Sequence, residues 1–550
     1  MTYWIALIAG RLADVFPGFW KHALLAALVT AFLALLFRRF PSAGKAIAVR
    51  VTKAANRPVL LIAAAMVVPI AIRLACLPWI PPPEPKWNDE FAHLLMADTL
   101  AAGRLANPPH PLARHFETIY VVQAPRYSAI YPPGQGLVMA AGQVVVGHPW
   151  AGVLLAAALM SGAMAWMLSG CLPPSWAVGG SLLGAVFFGL ADEWIGSYYG
   201  GAFCAFGGAL IFGALYRLSK SPSIGLALLA GIGWSIVWLI RPFESALTGI
   251  LIWAFVFWTA KTNWKRWSSP AALLLTGQVA GLAITALHDR AVTRSYTLLP
   301  YQLSQEVNGV PQSLLSQRPI VAPTFRFPEA KDMYDWQRER KDLLEAHPFR
   351  RYLAVLYNTW AFFITPWFSV PFGLALLSRN RAAAVCAVLL AFVTVYGAAY
   401  PFFAARYIAA YACVFLYLIV LGLIVLSKTG RRGKWACAFL ISGSCITAFA
   451  GIGSSYSPAV TRSAVSRQLL AKPGRHVAFV RYVPPHSFHE EWVYNAADID
   501  AARIVWCRAM GPSADVEVAR YYADRQFWLV EDDGSTVHLS PYTFSRGHGQ

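Results

Sequence analysis

The stretch PVLLIAAAMVVPIAIRLACLPWI at 58–80, followed at once by PPPEPKWNDEF at 81–91, decides how this chain folds. The first part is a mostly apolar run long enough for one membrane-spanning helix, which needs about 20 residues. The prolines at the start of the second part stop the helix, and acidic residues appear only after them. The stretch therefore predicts a membrane span that opens into a polar loop.

The composition of the whole chain indicates that most of it is also embedded in a membrane. Of 550 residues, 57% are hydrophobic and only 13% are charged, whereas soluble domains carry about 25% charged residues. Eight cysteines lie mostly in apolar runs with no C-x-x-C pair, so neither a disulfide framework nor a zinc knuckle is indicated. The first residues lack a basic region before their apolar stretch, and we expect no cleaved signal peptide. The chain is predicted to be an all-α polytopic membrane protein.

Twelve segments are candidate spans, and one shorter apolar segment, 134–147, has the length of a re-entrant or interfacial piece. The candidate spans are 17–37, 58–80, 150–168, 174–191, 200–217, 223–240, 245–260, 270–287, 352–377, 382–402, 407–427 and 434–452.

Five basic connectors orient these spans: 38–57, 217–220, 261–266, 379–381 and 428–434 together hold 17 Lys and Arg residues and no acid. Short cytoplasmic loops carry the excess of Lys and Arg. All five connectors fall on one side only if segment 134–147 does not cross. The net charge of +19 is therefore predicted to orient the protein in the membrane rather than to bind nucleic acid.

The orientation places the loops 81–149 and 288–351, and everything after 453, outside the cytoplasm. We therefore divide the chain into an extra span with its basic connector (1–57), a transmembrane bundle (58–453) and a small soluble α/β domain (454–550). Cys507, in that last part, is expected to be reachable from outside.

The first outer loop offers the clearest candidate chemistry. Asn88 is predicted to cap a helix whose first turn holds Asp89 and Glu90. One interpretation is that the two acids complement the helix dipole. The other is that they supply a general base or a metal ligand for a membrane-borne substrate.

A second acidic pair, Asp192 and Glu193, follows another span, and the alternative to a site is an ordinary polar loop. A phosphate at the outer interface requires a cation. Arg241 is one candidate, although it is also placed to pair with Glu244 or to reach the interface. The outer cations available are Arg241, Arg290, Arg294 and Arg406.

The remaining outer segments predict their own elements. Residues 331–351 are predicted to form a mixed-charge helix that lies, solvated, on the membrane surface. In the C-terminal part, HVAFVRYV and IVWCRAM predict strands, VEVARYYADR a helix, and RQFWLVEDDGSTVHLSPY a hairpin turning at Asp533 and Gly534. His486, His489 and Glu490 have near-ligand spacing, but a polar loop explains them as well.

Three stretches together resemble the GT-C glycosyltransferases of the protein O-mannosyltransferase and lipid A aminoarabinose transferase type. They are WNDEFAH at 87–93, SAIYPPGQGLVMAAGQVVVG at 128–147 with Tyr131 before two prolines, and ADEWIGSYYGGA at 191–202. RPFESAL at 241–247 and EWVYNAADIDAARIVW at 491–506 resemble pieces of bacterial members of that superfamily. The likeness extends loosely over the whole chain, and the first-loop motif is its specific part.

The resemblance implies a GT-C-like helical bundle that transfers a sugar, with inversion, from a polyprenyl-phosphate donor to a glycan, lipid or protein acceptor. The reaction is expected at the outer face of a bacterial inner membrane. Asp89 is implied as the base with Glu90 beside it, and Asp192 as the second-loop acid. Tyr131, Arg241 and Arg406 are expected to bind substrate. Relatives differ in their use of a divalent metal, so no metal ligand is assigned.

Two other classes compete with this interpretation. A transporter or flippase predicts ionisable groups at mid-membrane and an internal repeat of spans, whereas most charges here lie in loops. A membrane anchor whose working part is the C-terminal domain is the third possibility. The sequence has no G-x-x-x-x-G-K-[ST] loop, which disfavours nucleotide-driven action.

Overall fold

The computed structural model describes residues 2–261, 263–309, 321–454 and 461–544. Residues 455–460, at the predicted boundary of the C-terminal domain, lie outside this part. The α-helices are α1 Thr2–Arg39, α2 Pro41–Ala55, α3 Pro58–Ala75, α4 Asn88–Ala101, α5 Gly134–Val146, α6 Pro149–Cys171, α7 Pro174–Phe187, α8 Asp192–Ile195, α9 Gly201–Leu218, α10 Ile224–Trp238, α11 Pro242–Ala260, α12 Trp264–Thr293, α13 Pro300–Asn308, α14 Pro328–Ala346, α15 Pro348–Thr359, α16 Thr365–Leu376, α17 Arg381–Gly397, α18 Ala412–Ser427, α19 Arg431–Gly451, α20 Thr461–Leu470 and α21 Pro512–Tyr521. The strands are β1 Val121–Val122, β2 Ser128–Ala129, β3 His476–Tyr482, β4 Ile504–Arg508, β5 Gln526–Asp532 and β6 Val537–Pro541.

Every predicted span coincides with a helix. Within the described residues, nine helical segments are long and apolar enough to cross a membrane. Three further predicted spans correspond to the shorter apolar helices α7, α10 and α17, and segment 134–147 corresponds to α5. The chain is a multi-pass membrane protein, as predicted. That α5 does not cross remains a prediction.

Close packing of small residues fixes α5 against α6. A Cβ atom on Gly142 would lie 2.1 Å from the backbone nitrogen of Gly152, and one on Gly152 would lie 2.1 Å from the carbonyl oxygen of Val138. Only glycine permits backbones to approach this closely. The turn that precedes α5 therefore has a fixed position relative to the bundle.

The C-terminal region forms a four-stranded sheet in the order β4-β3-β5-β6. Strand β3 runs parallel to both β4 and β5, while β5 and β6 form an antiparallel hairpin. The helix α21 follows β4, and Gly534 has a φ of 80° in the hairpin turn. The predicted strands, helix and hairpin are confirmed.

One hydrophobic core joins the first outer loop to this sheet. Aromatic and aliphatic side chains of α4 and of the loop after it pack with side chains of β3, β4 and α21. They include Phe91, Leu95, Phe116, Val121, Val477, Phe479, Tyr494, Cys507 and Val518. The sheet is consequently built onto the loop that carries the first acidic pair.

Arg508, at the end of β4, connects three segments that lie far apart in the chain. Its guanidinium donates to Glu329 at 2.6 Å, to Glu491, and to the carbonyl oxygen of Glu117 at 2.6 Å, and it stacks on Phe327 at 4.1 Å. Burial raises the pKa of Glu329, and the charge of Arg508 opposes that rise. Helix α14 is tied to the sheet through this contact at its first turn, and its predicted position on the membrane surface stays a prediction.

We expect Arg508→Met to reduce the free energy of unfolding by about 3–5 kcal/mol, because it leaves two buried carboxylates without their cation. Chemical denaturation of the detergent-solubilised protein measures this change. Arg520→Met, on the exposed side of α21, is the matched control. Equal stability of the two variants would contradict the bridging role.

The predicted accessibility of Cys507 is wrong, because its side chain is fully buried in β4. The orientation is tested instead with exposed positions. We expect Ser513→Cys to react with an impermeant thiol reagent in intact spheroplasts, and Ser42→Cys, in the first basic connector, to react only after lysis. The opposite labelling pattern would reverse the topology.

Candidate active site

Helix α4 begins one residue earlier than the sequence indicates. Trp87 is its N-cap, and Asn88 is the first helical residue, so the predicted cap at Asn88 is wrong. The Glu90 carboxylate accepts hydrogen bonds from the amides of Lys86 (2.9 Å), Trp87 (3.1 Å) and Tyr198 (3.2 Å). Glu90 is buried, which raises its pKa. Its contacts support a role in joining α4 to the loop 192–199.

The carboxylate of Asp89, the residue before Glu90, has two polar side-chain partners. One oxygen accepts a 2.6 Å hydrogen bond from the Tyr131 hydroxyl, and the other lies 3.6 Å from the Arg406 guanidinium. A quarter of the Asp89 side chain stays exposed. The carboxylate is thus oriented by two partners and still accessible.

Arg406 holds two acidic segments together. It lies in a short 3₁₀ turn, Ala405–Tyr411, directly before α18. Its guanidinium contacts Asp89 on one side and donates to Glu193 at 3.2 Å on the other, and it stacks over the Tyr199 ring at 4.3 Å. The first and second predicted acidic pairs therefore meet at one cation.

Arg241 joins this group through an aromatic ring. Its guanidinium lies 4.1 Å from the Tyr407 ring, and Arg406 lies 5.5 Å from the same ring. The Gly134 amide donates to the carbonyl of Leu239 at 2.7 Å, which brings the Tyr131 turn next to Arg241. Within the described residues, the Arg241 side chain makes no hydrogen bond and no close ion pair, although its charge interacts with that of Glu244.

The structure divides the four candidate arginines into two that lie near Asp89 and two that do not. Arg290 and Arg294 are exposed at the end of α12, where Arg290 donates to the carbonyl of Arg294 and stacks on Tyr296. Neither contacts the Asp89 group. Arg241 and Arg406 are the pair available to an anion near Asp89.

Sequence reasoning did not single out His93, although it lies one helical turn after Asp89 and so shares its face of α4. Its ring stacks on Tyr131 at 4.4 Å, and its Nδ1 atom has no hydrogen-bond partner within the described residues. Burial lowers the pKa of His93 to about 3, with help from Arg241 and Arg406. His93 is therefore neutral at physiological pH. The i, i+4 spacing from Asp89 is the sequence signal that could have identified His93.

Asp192 lies on the other side of Glu193, in the wall of a cavity of about 380 Å³. Its carboxylate accepts hydrogen bonds from the Gly453 amide (2.9 Å) and the Ser454 hydroxyl (3.1 Å). The cavity wall includes Arg73, Trp87, Glu90, Asp192, Glu193 and Tyr199. Asp192 thus faces the cavity, while Asp89 and Arg406 lie behind Glu193 and Tyr199.

The described residues contain no group of three His, Cys, Asp or Glu side chains arranged to hold a metal ion. Arg406 occupies the space between Asp89 and Glu193 that a bridging divalent ion would take, so such an ion does not fit this arrangement. His486 pairs with Asp532 at 3.1 Å, whereas His489 packs against Trp336.

The C-terminal region holds α4 along its length. The Asn88 amide donates to the carbonyl of Phe488 at 3.0 Å, and Phe91 stacks on Tyr494 at 4.7 Å. Arg462 lies 4.6 Å from the Phe91 ring, and Asp98 accepts the Ala497 amide at 2.6 Å. These contacts set the position from which Asp89 projects.

Comparison with known proteins gives structural neighbours only. No protein-family model matches the chain, and no curated protein matches it at a significant level. Among solved structures, ArnT from Cupriavidus metallidurans bound to undecaprenyl phosphate aligns with a TM-score of 0.51 and 12% identity, over 86% of this chain and 92% of that one. The Archaeoglobus fulgidus oligosaccharyltransferase in complex with Zn and sulfate aligns with a TM-score of 0.50 and 13% identity, over 86% of this chain and 68% of that one.

Both neighbours are GT-C glycosyltransferases. At identities this low, the two alignments establish a likeness of fold alone. The resemblance seen in the sequence is confirmed at that level: this chain has the GT-C fold.

Proposed function

We propose that this protein is a glycosyltransferase that moves a sugar from a polyprenyl-phosphate donor to an acceptor hydroxyl at the outer face of a bacterial cytoplasmic membrane. One observation carries the proposal. An accessible carboxylate, Asp89, lies beside Arg406, and Arg406 shares the Tyr407 ring with a second arginine, Arg241. The structural neighbour ArnT, whose fold this chain shares, was crystallised with undecaprenyl phosphate.

The two arginines suit the leaving phosphate. When the bond between the anomeric carbon and the phosphate oxygen breaks, negative charge grows on that oxygen. Fixed cations at this position stabilise the transition state more than the ground state. Arg241 has a free set of donors for the task, and Arg406 adds a second charge.

Asp89 suits the role of base. Its carboxylate takes the proton of the acceptor hydroxyl as the hydroxyl oxygen forms its bond to the anomeric carbon. The attack comes from the face opposite the departing phosphate, and the configuration at that carbon inverts. Tyr131 orients the carboxylate through its hydroxyl.

A transporter or flippase of lipid-linked solutes is the competing function. It requires the same capture of a lipid phosphate but no proton acceptor at the anomeric carbon. Loss of Asp89 therefore distinguishes the two functions, because only a glycosyltransferase depends on its basicity.

We expect Asp89→Asn to lower the rate of sugar transfer by about 10²–10⁴-fold, the usual contribution of a general base. Transfer is measured in membranes supplied with labelled polyprenyl-phosphate sugars, at matched expression. Asp332→Asn, an exposed acid of α14 on the same face, is the control and should retain full activity. Full activity of Asp89→Asn would refute Asp89 as the base.

We expect Arg241→Met to weaken binding of undecaprenyl phosphate by about tenfold or more, since a hydrogen bond to a charged group contributes about 1.5–3 kcal/mol. Native mass spectrometry of the purified protein measures this affinity. Arg290→Met, an exposed arginine remote from Asp89, should bind as the wild type does. If Arg290→Met instead loses affinity, the phosphate binds at the end of α12.

A further inference from the structure

The Tyr131 ring, whose hydroxyl donates to Asp89, is flanked by two polar rings that the proposed reaction does not yet use. His93 stacks on it with ring centroids 4.4 Å apart and an interplanar angle of 23°, and Tyr120 lies against it at 5.7 Å. Within the described residues, neither the His93 imidazole nor the Tyr120 hydroxyl makes a hydrogen bond. Two groups capable of hydrogen bonding are therefore available beside the proposed base.

Tyr120 is held in a backbone conformation that a bulky side chain rarely adopts. Its φ is 62°, in the left-handed region, directly before β1. Its carbonyl accepts the Ile130 amide at 3.1 Å, which helps to fix this conformation. Residues held in this region cost free energy and cluster at ligand-binding and active sites. Burial and the charge of Asp89 raise the pKa of the Tyr120 hydroxyl, so the hydroxyl stays protonated and can donate.

His93 supplies a second neutral group. The ring is 8% exposed, and its Nδ1 atom is fully enclosed, so Nε2 is the nitrogen that a ligand can reach. Burial, together with the charges of Arg241 and Arg406, lowers the pKa of His93 to about 3. A neutral imidazole offers a ligand one hydrogen bond at Nε2 without adding a charge to the site.

The position of His93 connects the two ends of the proposed reaction. It shares a face of α4 with Asp89, and the charges of Arg241 and Arg406 both reach it. In an inverting transfer, the sugar ring lies between the base and the leaving group. A sugar presents hydroxyl groups, which need hydrogen-bond partners, and C–H groups, which pack on aromatic rings. Both kinds of partner are present beside Asp89.

We propose that His93 and Tyr120 bind the transferred sugar of the donor, with Nε2 of His93 and the Tyr120 hydroxyl each making a hydrogen bond to one of its hydroxyl groups. The inference rests on the proposed transferase function and deepens it, because it assigns the residues that hold the sugar rather than the phosphate. Neutral partners at both positions suit an uncharged sugar.

The test compares a lipid phosphate with the same lipid carrying a sugar. Native mass spectrometry of the full-length protein in detergent measures binding of undecaprenyl phosphate, and of undecaprenyl phosphate linked to glucose, galactose, mannose, arabinose or N-acetylglucosamine. The sugar gain is the affinity for a sugar-bearing lipid divided by the affinity for undecaprenyl phosphate. We expect the wild type to show a sugar gain of about fivefold or more for at least one sugar.

Two variants remove the polar atoms and keep the rings. His93→Phe and Tyr120→Phe should each lower the sugar gain about threefold or more, since each removes one hydrogen bond to the sugar. Both should bind undecaprenyl phosphate as the wild type does. A variant that merely disturbs the fold would instead weaken both lipids alike.

Two further variants identify the nitrogen of His93. His93→Gln should restore most of the sugar gain, because its amide group reaches the position of Nε2. His93→Asn, whose amide group reaches only the position of Nδ1, should not. His538→Phe, exposed on β6, and Tyr296→Phe, exposed after α12, are the matched controls and should keep the sugar gain of the wild type.

Four results would overturn the inference. They are no sugar gain in the wild type, an unchanged gain in either phenylalanine variant of the site, an equal loss of affinity for both kinds of lipid in His93→Phe, and restoration by His93→Asn but not by His93→Gln. The proposed transferase function fails separately, if the wild type shows the sugar gain but transfers no sugar.

Discussion

The ion-pair system centred on Arg406 is the constraint on which the arrangement around Asp89 depends. The guanidinium is only 19% exposed, directly before the apolar helix α18, where an unpaired charge is costly. Asp89 and Glu193 compensate it from two loops far apart in the chain, and the rings of Tyr199 and Tyr407 cover its faces. The first acidic pair, the second acidic pair and the start of α18 are consequently held at one point beside the cavity.

Asp89 is held from two directions. From one direction, Glu90 joins the start of α4 to the loop 192–199 through backbone amides. From another, the C-terminal region packs along the same helix from Asn88 to Asp98. A catalytic carboxylate benefits from such support, because a small displacement of a positioned base costs a large part of its effect. The C-terminal region is therefore coupled to the site through its contacts with α4.

The parts predictable from sequence follow from local rules. Hydrophobic length located every span, alternation and turn residues located the sheet, and an acidic pair directly after a span pointed to Asp89. The pairing of Asp89 with Arg406 was not predictable, because residues separated by most of the chain meet only through helix packing. The same holds for the choice of Arg241 over Arg290, since both have the same local signal. Asn88 was misassigned because its side chain has a distant partner, the Phe488 carbonyl, and Cys507 because strand burial depends on what covers the sheet.

The central claim is that Arg241 and Arg406 receive the donor phosphate beside Asp89. A cryo-electron microscopy structure of the full chain with bound undecaprenyl phosphate measures this directly. The account predicts the phosphate within ion-pair distance of both guanidinium groups, with Asp89 facing the space from which an acceptor reaches it. A phosphate bound at Arg290 and Arg294, or within the cavity next to Arg73, would contradict it.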